Sequence, residues 1–113
     1  MNDCLFCKII NGDIPSSKVY EDERVLAFRD INPQAPVHVL VIPKVHIPSV
    51  AAIDASNSDV LCHIFEVIAM LGKSLDLSGG YRVVSNCGEY AGQTVPHLHF
   101  HILGGAPLEL KMC

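Results

Sequence analysis

The amino-acid sequence predicts an α+β domain with a mostly antiparallel sheet of about five strands, one long helix and one short helix. Its strand-like runs follow one another through brief polar turns and loops, which is how antiparallel neighbours are usually connected. A single long stretch carries apolar residues at helical spacing. With 113 residues, half of them apolar, the chain is expected to form one domain over residues 1–113.

The first half of the chain supplies a short helix and three strands. Residues 4–10 are predominantly apolar and end at an Asn-Gly pair, which predicts a short helix with a glycine stop. Residues 18–20 and 25–28 are typical of two strands joined by a polar turn. After a loop with two prolines, residues 37–42 form a nearly continuous apolar run, which predicts a central strand buried on both faces.

The second half supplies the long helix and two more strands. In residues 56–77 apolar residues recur every three or four positions, Ser56 and Asp59 resemble a capping box, and a Gly-Gly pair follows. Residues 81–86 predict the fourth strand. A polar loop with two glycines then leads into residues 97–103, where histidines alternate with apolar residues. This alternation predicts the last strand.

Composition and charge narrow the class of protein. The formal charge of −4 argues against binding to a nucleic acid polymer, because such binding requires clustered Lys and Arg. No apolar run approaches the roughly 18–20 residues of a membrane helix, and the N-terminus does not resemble a signal peptide. The five cysteines are an odd number and do not suggest a disulfide framework. We therefore expect a cytoplasmic protein whose partners include neither a membrane nor a nucleic acid polymer.

Three of the six histidines stand on one face of the last predicted strand. Because successive side chains of a strand point to opposite faces, His97, His99 and His101 share one face, and apolar residues line the other. Two histidines at this spacing can share a metal ion, but the outer two lie about 13 Å apart along a strand. All three would reach one ion only on a strongly bent strand. A polar sheet face that is rich in histidine is the simplest alternative.

Nucleophilic catalysis is the third interpretation of these histidines. A neutral imidazole attacks phosphorus well, and its ordinary pKa near 6.5 leaves it mostly unprotonated at pH 7. The central His99 could attack while a flanking histidine donates hydrogen bonds to phosphoryl oxygens. The preceding loop over residues 88–94 offers backbone N–H groups and a hydroxyl to the same oxygens.

The histidine motif resembles the signature of a known family. Residues 97–103 match His-φ-His-φ-His-φ-φ, the signature of the histidine triad (HIT) superfamily, at every position. Residues 28–38 and 41–44 resemble the first half of its histidine-triad nucleotide-binding (Hint) branch, in the bacterial type with an N-terminal Cys-x-x-Cys. Residues 92–94 and 103–105 resemble its second half. The resemblance therefore covers essentially the whole chain.

This resemblance implies a HIT-like fold and chemistry on nucleoside phosphates. The reaction would be hydrolysis of a purine nucleoside phosphoramidate, or transfer of its nucleotidyl group, through a nucleotidyl-histidine intermediate. Sister branches cleave dinucleoside polyphosphates, which gives one alternative, and a nucleotide-binding module in which the triad only holds a ligand gives another. The expected partners are a purine nucleoside monophosphate and its phosphoramidates, together with a second copy of the chain in a homodimer.

The resemblance also implies a role for each matching residue. His99 would be the nucleophile, His101 would contact the α-phosphate, and His38 would support the triad. Asp30 matches a carboxylate that accepts both ribose hydroxyls, although a turn-forming role is the alternative. The remaining matches are phosphate-side positions and an apolar slot for the base, and core packing explains the slot residues equally well. They are Asn86, Gln93 and Thr94 on the phosphate side, and Phe6, Ile9, Ile14, Phe28 and Ile31 in the slot.

The pair Cys4-x-x-Cys7 is a second chemical signal. Two thiolates at this spacing are half of a tetrahedral zinc site, and the alternative is a redox pair, which normally follows a strand. Relatives with this N-terminal pair imply a Cys₂His₂ set completed by His46 and His97. The resemblance thus implies a structural Zn²⁺ ion, with no cofactor required for catalysis.

Overall fold

Five antiparallel strands form one sheet in the computed structural model, which describes residues 4–112. The strands are β1 (Lys18–Glu21), β2 (Val25–Arg29), β3 (Val37–Pro43), β4 (Tyr81–Val84) and β5 (Phe100–Gly104), and the helices are α1 (Leu5–Ile10) and α2 (Asp59–Ser74). The strand order is β1-β2-β3-β5-β4, and every neighbouring pair is antiparallel. The predicted α+β class, with five strands and two helices of unequal length, is confirmed. Neither helix of the described chain has the length and apolar character that crossing a membrane requires.

Two predictions fall on residues outside this range. The comparison of the N-terminus with a signal peptide used residues 1–3, and the single-domain prediction extends to Cys113. Two short 3₁₀ turns, Val50–Ala52 and Glu89–Ala91, complete the regular structure of the described chain.

Each face of the sheet carries its own apolar cluster, because β2 and β3 alternate their side chains between the faces. The face that α2 covers and the face that α1 covers are both buried, so β3 is a central strand with two buried faces, as its apolar run predicts. The cluster facing α2 includes Val25, Ala27, Val39, Val41, Leu98, Phe100 and Ile102 with Val60, Ile64, Val67, Ile68 and Leu71 of the helix. The cluster facing α1 includes Leu26, Phe28, Leu40 and Ile42 with Cys4, Phe6, Cys7 and Ile9.

The register of β3 against β5 brings two histidines together on the face that α1 covers. Leu40 pairs with His101, and His38 pairs with Leu103, so the two histidines are diagonal neighbours. Side chains two residues apart on a strand share a face, which places His38 on the same side as Leu40 and Ile42. The antiparallel register therefore assembles part of the site from two strands that are distant in sequence.

The last strand begins later than predicted. The predicted strand over residues 97–103 is wrong in its first three residues, since β5 starts at Phe100. The N–H of Leu98 donates to the carbonyl of Ile47 at 2.6 Å, outside the sheet ladder. The alternation of sides nevertheless persists. Leu98 joins the cluster facing α2, whereas the buried His97 and His99 contact Phe6 of the cluster facing α1. The other strands agree with the predicted limits to within two residues.

Helix α2 is shorter at both ends than the predicted helix over residues 56–77. Ser56 is not a cap, because its N–H and hydroxyl donate to the carboxylate of Asp54 at 2.8 and 2.5 Å. At the other end the chain turns at Asp76, whose φ is +58°. The N–H of Leu77 then donates to a carbonyl five residues earlier, which closes the helix in a Schellman motif. Asp76, and not the Gly-Gly pair, therefore ends the helix.

Candidate active site and metal centre

The four predicted metal ligands converge beside helix α1. Ligand atoms of Cys4, Cys7, His46 and His97 all lie within 4.8 Å of one another. The Nδ1 atom of His97 lies 3.4 Å from Sγ of Cys4 and 3.5 Å from Sγ of Cys7. It lies 3.2 Å from Nδ1 of His46, which itself lies 3.4 Å from Sγ of Cys7. In a zinc tetrahedron of ordinary bond lengths, the N···N and S···N edges are about 3.3 and 3.5 Å. The donor set and its distances thus fit a Zn²⁺ ion.

The ring of His97 is oriented for metal binding by a backbone carbonyl. Its Nε2–H donates to the carbonyl oxygen of Pro43 at 2.9 Å. Because a carbonyl can only accept, Nε2 carries the proton and Nδ1 of the neutral ring keeps its lone pair. Burial lowers the pKa of His97 to about 4, despite the bond to Pro43 that raises it. The ring is therefore neutral at pH 7, as a metal ligand must be.

The tautomer of His99 is set by the backbone of His97. The Nδ1 atom of His99 lies 2.7 Å from the carbonyl oxygen of His97, so Nδ1 carries the proton and donates it. In the neutral ring the unprotonated nitrogen is then Nε2, whose lone pair is available for attack on an electrophile. The ring of Phe6 packs edge-on against His99 with the centroids 5.0 Å apart. This arrangement holds one buried imidazole in one nucleophilic form.

A chain of hydrogen bonds sets the tautomer of His101. The backbone N–H of Gln34 donates to Nδ1 of His38 at 3.0 Å, so the proton of the neutral His38 ring is on Nε2. This Nε2–H faces Nδ1 of His101 at 2.9 Å and donates to it. Consequently Nδ1 of His101 is an acceptor and its Nε2 carries the proton. His101, whose ring centroid lies 5.1 Å from that of His99, is thereby a hydrogen-bond donor beside His99.

Both rings of this chain are neutral at pH 7. Burial lowers the pKa of His38 below its ordinary value, with the charge of Asp30 acting in the opposite direction. Burial also lowers the pKa of His101 to about 4, helped by His99 and His38 and opposed by Asp30. A neutral His101 can donate a hydrogen bond to a phosphoryl oxygen without taking up a proton from solvent.

Asp30 forms a turn, which is the alternative to a role in ribose binding that the sequence left open. Its Oδ1 accepts the backbone N–H of Asn32 at 2.8 Å, which is an Asx turn. Its Oδ2 lies 3.4 Å from Nε2 of His38, next to the histidine chain. An ionised carboxylate has about four lone-pair sites, so this turn leaves acceptor capacity on both oxygens. The contact with ribose hydroxyls stays a prediction.

The three predicted phosphate-side residues differ in their surroundings. Gln93 holds the loop together: its Oε1 accepts the N–H of Gly88 at 2.9 Å, and its Nε2 donates to the carbonyl of Pro48 at 2.8 Å. Its backbone N–H is donated to the carbonyl of Gly88. Asn86 is half-buried and Thr94 is exposed. Their contacts with phosphate stay predictions.

Four of the five predicted base-slot residues lie together. Phe6, Ile9 and Phe28 are buried in the cluster facing α1, and Ile14 packs against that cluster. Ile31 is fully exposed, at 101% of its reference area. The first four therefore pack as a core in this structure, and their contact with a base stays a prediction, as does that of Ile31.

The sequence reasoning missed the groups that set the imidazole tautomers. They are the N–H of Gln34 and the carbonyls of Pro43 and His97. Every residue other than proline carries both a backbone N–H and a carbonyl, so no residue type marks these atoms in a sequence. The resemblance assigned the backbone of Gln93 to the phosphate side, and nothing in the sequence indicated that its side chain bonds to Gly88 and Pro48 within the loop.

Comparison with known proteins gives consistent matches. The family model described as "HIT domain" matches residues 11–108. Purine nucleoside phosphoramidase of Escherichia coli (strain K12) is 44% identical over 105 residues, which cover 92% of this chain and 88% of that protein. The 14 kDa zinc-binding protein of Zea mays is 48% identical over 103 residues, covering 89% of this chain and 80% of that protein.

A solved structure extends the likeness to the whole fold. A HIT family hydrolase from Clostridium thermocellum superposes with a TM-score of 0.96 at 49% identity, covering 100% of this chain and 99% of that one. The Hint-type resemblance, the five-stranded sheet and the similarity of this chain to hydrolases of the family agree with one another. On this sequence and structural evidence, the chain belongs to the HIT family.

Proposed function

We propose that this protein is a purine nucleoside phosphoramidase that acts at the α-phosphate through a covalent nucleotidyl-His99 intermediate. The observation that carries the proposal is the 2.7 Å hydrogen bond from Nδ1–H of His99 to the carbonyl of His97, which places the lone pair of the neutral ring on Nε2. A ring held in this tautomer is a nucleophile before the substrate arrives. The 44% identity to the E. coli phosphoramidase supports the choice of substrate.

The proposed reaction has two displacements at phosphorus. In the first, Nε2 of His99 forms a bond to the α-phosphorus while the P–N bond breaks, and the amine takes up a proton as it leaves. The positive charge that develops on the His99 ring is stabilised by the carbonyl of His97, which accepts Nδ1–H. In the second, water attacks the same phosphorus and the bond to His99 breaks. One water is consumed overall, and the product is the nucleoside monophosphate.

His101 and His38 support both displacements. The Nε2–H of His101 would donate to a phosphoryl oxygen whose charge increases in each transition state. His38 would keep that proton in place through its own bond to Nδ1 of His101. Asp30 would accept the ribose hydroxyls, Asn86, Gln93 and Thr94 would line the phosphate, and the apolar slot would hold the purine.

The proposal includes a structural Zn²⁺ ion, a homodimer and a cytoplasmic location. Zn²⁺ would be held by Cys4, Cys7, His46 and His97, and the close donor atoms and the zinc-binding maize relative support this. The ion would hold the N-terminal helix to the sheet. It would not act as an electrophile in the reaction, which takes place at His99.

A homodimer is supported by the family resemblance. Light scattering that finds only monomer at micromolar concentration would contradict it.

Hydrolysis of adenosine 5'-phosphoramidate tests the proposal. The wild type is expected to release AMP, and His99→Ala is expected to reduce kcat/KM by at least about 10³-fold. His63→Ala is the matched control for the rate, because this histidine lies on α2, on the face of the sheet opposite to α1. It also removes a hydrogen bond to Asp22, so the fold of this variant is checked by circular dichroism before the rates are compared. If His99→Ala releases AMP at the wild-type rate, His99 is not the nucleophile and the covalent proposal fails. If the wild type binds AMP but releases none from the phosphoramidate, the chain is a binding module. If the wild type cleaves a dinucleoside polyphosphate faster than the phosphoramidate, it belongs functionally with the sister branches.

A further inference from the structure

His97 takes part in two parts of the site at once. Its side chain contributes Nδ1 to the candidate metal centre, 3.4 Å from Sγ of Cys4. Its backbone carbonyl, four bonds from the ring, accepts Nδ1–H of His99 at 2.7 Å. Any displacement of the His97 ring that rotates its backbone would therefore change the acceptor that fixes the His99 tautomer.

Phe6 makes a second connection between the two parts. It stands between Cys4 and Cys7 on the chain, so binding of a metal by both thiolates constrains it. Its ring packs edge-on against His99 at 5.0 Å and against His97 at 5.9 Å, with interplanar angles of 88° and 72°. The short segment that holds both thiolates thus also supplies one wall of the nucleophile's environment.

The two segments that make these connections, helix α1 and residues 97–99, have little regular secondary structure to hold them in place. Helix α1 has six residues and no side-chain hydrogen bond at its N-cap, whereas isolated helices shorter than about 12 residues are marginal in water. The segment 97–99 precedes β5 and is outside the sheet ladder. Two contacts join this segment to the end of β3 and the loop after it: the His97 ring to the Pro43 carbonyl, and the Leu98 N–H to the Ile47 carbonyl. A metal ion at the candidate centre would join α1, this loop and segment 97–99 at one point. It would add to the packing of Phe6 and Ile9 on the sheet and to the hydrogen bond from Oγ of Ser85 to the carbonyl of His99 at 2.9 Å.

We propose that Phe6 and His97 are positioning residues that transmit metal binding at Cys4, Cys7, His46 and His97 to the tautomer and orientation of His99. In the metal-loaded chain His99 is held with its proton on Nδ1. In the metal-free chain the sheet remains, but α1 and segment 97–99 loosen, and His99 populates both tautomers. The kinetic consequence rests on the proposed function; the structural consequence does not.

Histidine NMR tests the structural consequence directly. Two-bond ¹H–¹⁵N spectra of ¹⁵N-histidine-labelled full-length chain are recorded with Zn²⁺ bound and after chelation, and His99→Ala assigns the His99 signals. The expected result is a single Nδ1–H form with Zn²⁺ and a mixture of both tautomers without it. Amide hydrogen exchange over residues 5–10 and 97–99 is expected to be faster without the metal. Identical His99 signals and identical exchange in the two samples would overturn the proposal.

Two variants separate the effect of metal binding from the effect of the contact between the Phe6 and His99 rings. The double change Cys4→Ser with Cys7→Ser is expected to lower kcat for adenosine 5'-phosphoramidate by roughly 10- to 100-fold, the usual cost of losing groups that orient a reacting residue. Phe6→Leu keeps all four ligands, so zinc content is expected to be unchanged while kcat falls about tenfold and the second His99 tautomer appears. Cys62→Ser, an exposed cysteine on α2, is the matched control and is expected to keep kcat within twofold.

The outcomes separate this proposal from the proposed function. If the zinc-loaded wild type releases no AMP, the phosphoramidase proposal fails, and the NMR comparison still tests the positioning of His99. If it releases AMP, and the metal-free chain keeps both its rate within twofold and a single His99 tautomer, the positioning proposal fails alone. If metal removal unfolds the chain by far-UV circular dichroism, zinc-loaded Phe6→Leu decides, and a wild-type His99 spectrum and kcat in that variant would overturn the proposal.

Discussion

The Nε2 atom of His38 lies 2.9 Å from Nδ1 of His101, across the diagonal of the β3–β5 register. The N–H of Gln34 occupies the other nitrogen of His38 at 3.0 Å, so the proton can only be on the side of His101. A backbone amide thus determines, through two imidazoles, that His101 presents an N–H. In the proposed reaction, this relation would make His38 a positioning residue whose effect passes through His101.

Removing the His38 donor is expected to lower the rate of phosphoramidate hydrolysis. In His38→Leu, a residue of similar size fills the buried position, but Nδ1 of His101 loses its hydrogen-bond donor. His101 can then place its proton on Nδ1 and present a lone pair to the phosphoryl oxygens. We expect kcat for adenosine 5'-phosphoramidate to fall by about 10- to 100-fold, in the range seen when an orienting partner is removed.

The matched control changes the side chain of Gln34 and keeps its backbone. Gln34→Ala retains the N–H that donates to His38, so kcat is expected to stay within twofold of wild type. Equal rates for His38→Leu and Gln34→Ala would show that the proton position on His101 does not affect the reaction.

The half-buried His101 is expected to make the fold less stable in mild acid. Burial and the neighbouring His99 and His38 rings lower its pKa to about 4 despite Asp30, whereas a histidine in the unfolded chain has a pKa near 6.5. Between these values the unfolded chain binds more protons at this position, so the free energy of unfolding falls as the pH decreases from about 6.5 towards 4.

Urea denaturation between pH 7.5 and 4.5 measures this dependence. His101→Gln lacks the titrating group, and release of Zn²⁺ in acid affects both proteins alike. We therefore expect the free energy of unfolding to decrease more steeply with falling pH in the wild type than in His101→Gln. Parallel curves for the two proteins would contradict the assignment of the lowered pKa to His101.

Most of the fold could be predicted because its two periodicities are strong. Alternating or continuous apolar runs identify β2, β3 and β5, and helical spacing identifies α2. The errors occur at element ends, where tertiary bonds decide. Leu98 continues the alternation of the last strand, yet its N–H donates to the Ile47 carbonyl. This contact depends on the path of a loop that is distant in sequence. Asp76 ends α2 with a positive φ, a conformation that glycine adopts more easily.

The side chains of the candidate site could be named from their resemblance to a family, but their protonation could not. The tautomer of His99 depends on a carbonyl of His97, and that of His38 on the N–H of Gln34. Such backbone groups are present at nearly every position, so only their placement in space distinguishes them. The exposure of Ile31 also depends on placement in space and could not be predicted. Its hydrophobicity suggests burial, but the conformation of the loop leaves the side chain in solvent.

Metal binding is expected at one Zn²⁺ ion per chain and to stabilise the fold. The native cluster of Cys4, Cys7, His46 and His97 is assembled from three distant segments, so the ion binds the folded chain in preference to the unfolded one. Free Zn²⁺ at a hundred times its dissociation constant would add about 2.7 kcal/mol. For a domain of this size, that corresponds to a rise in Tm of about 10 °C.

Elemental analysis of the purified protein and thermal unfolding with and without a chelator check this prediction. Cys4→Ser is expected to reduce both the zinc content and the shift in Tm, whereas Cys62→Ser is expected to change neither. A wild-type Tm that does not respond to chelation or to added Zn²⁺ would rule out a stabilising metal at this cluster.

Asp22 joins the β1–β2 turn to helix α2 and is expected to be a large single contributor to stability away from the site. Its Oδ2 accepts the hydroxyl of Tyr20 and Nε2–H of His63, each at 2.6 Å. Its Oδ1 accepts the N–H groups of Arg24 and Val25 at 2.8 and 2.9 Å. Although burial raises it, the pKa of Asp22 is held well below its usual range by these four hydrogen bonds.

Asp22→Ala is expected to lower the free energy of unfolding at pH 7 by about 2 kcal/mol. Four hydrogen bonds to a charged group are lost, and the four donors, at a partly exposed position, must bond to water instead. The folded-state pKa is lowered, so the contribution is present above the ordinary value near 4 and is lost as the pH falls below it. Urea denaturation measures the change. Glu23→Ala removes an exposed acid from the same turn and is expected to change the free energy by less than about 0.5 kcal/mol. If the two variants unfold alike, the turn is not held to α2 by Asp22.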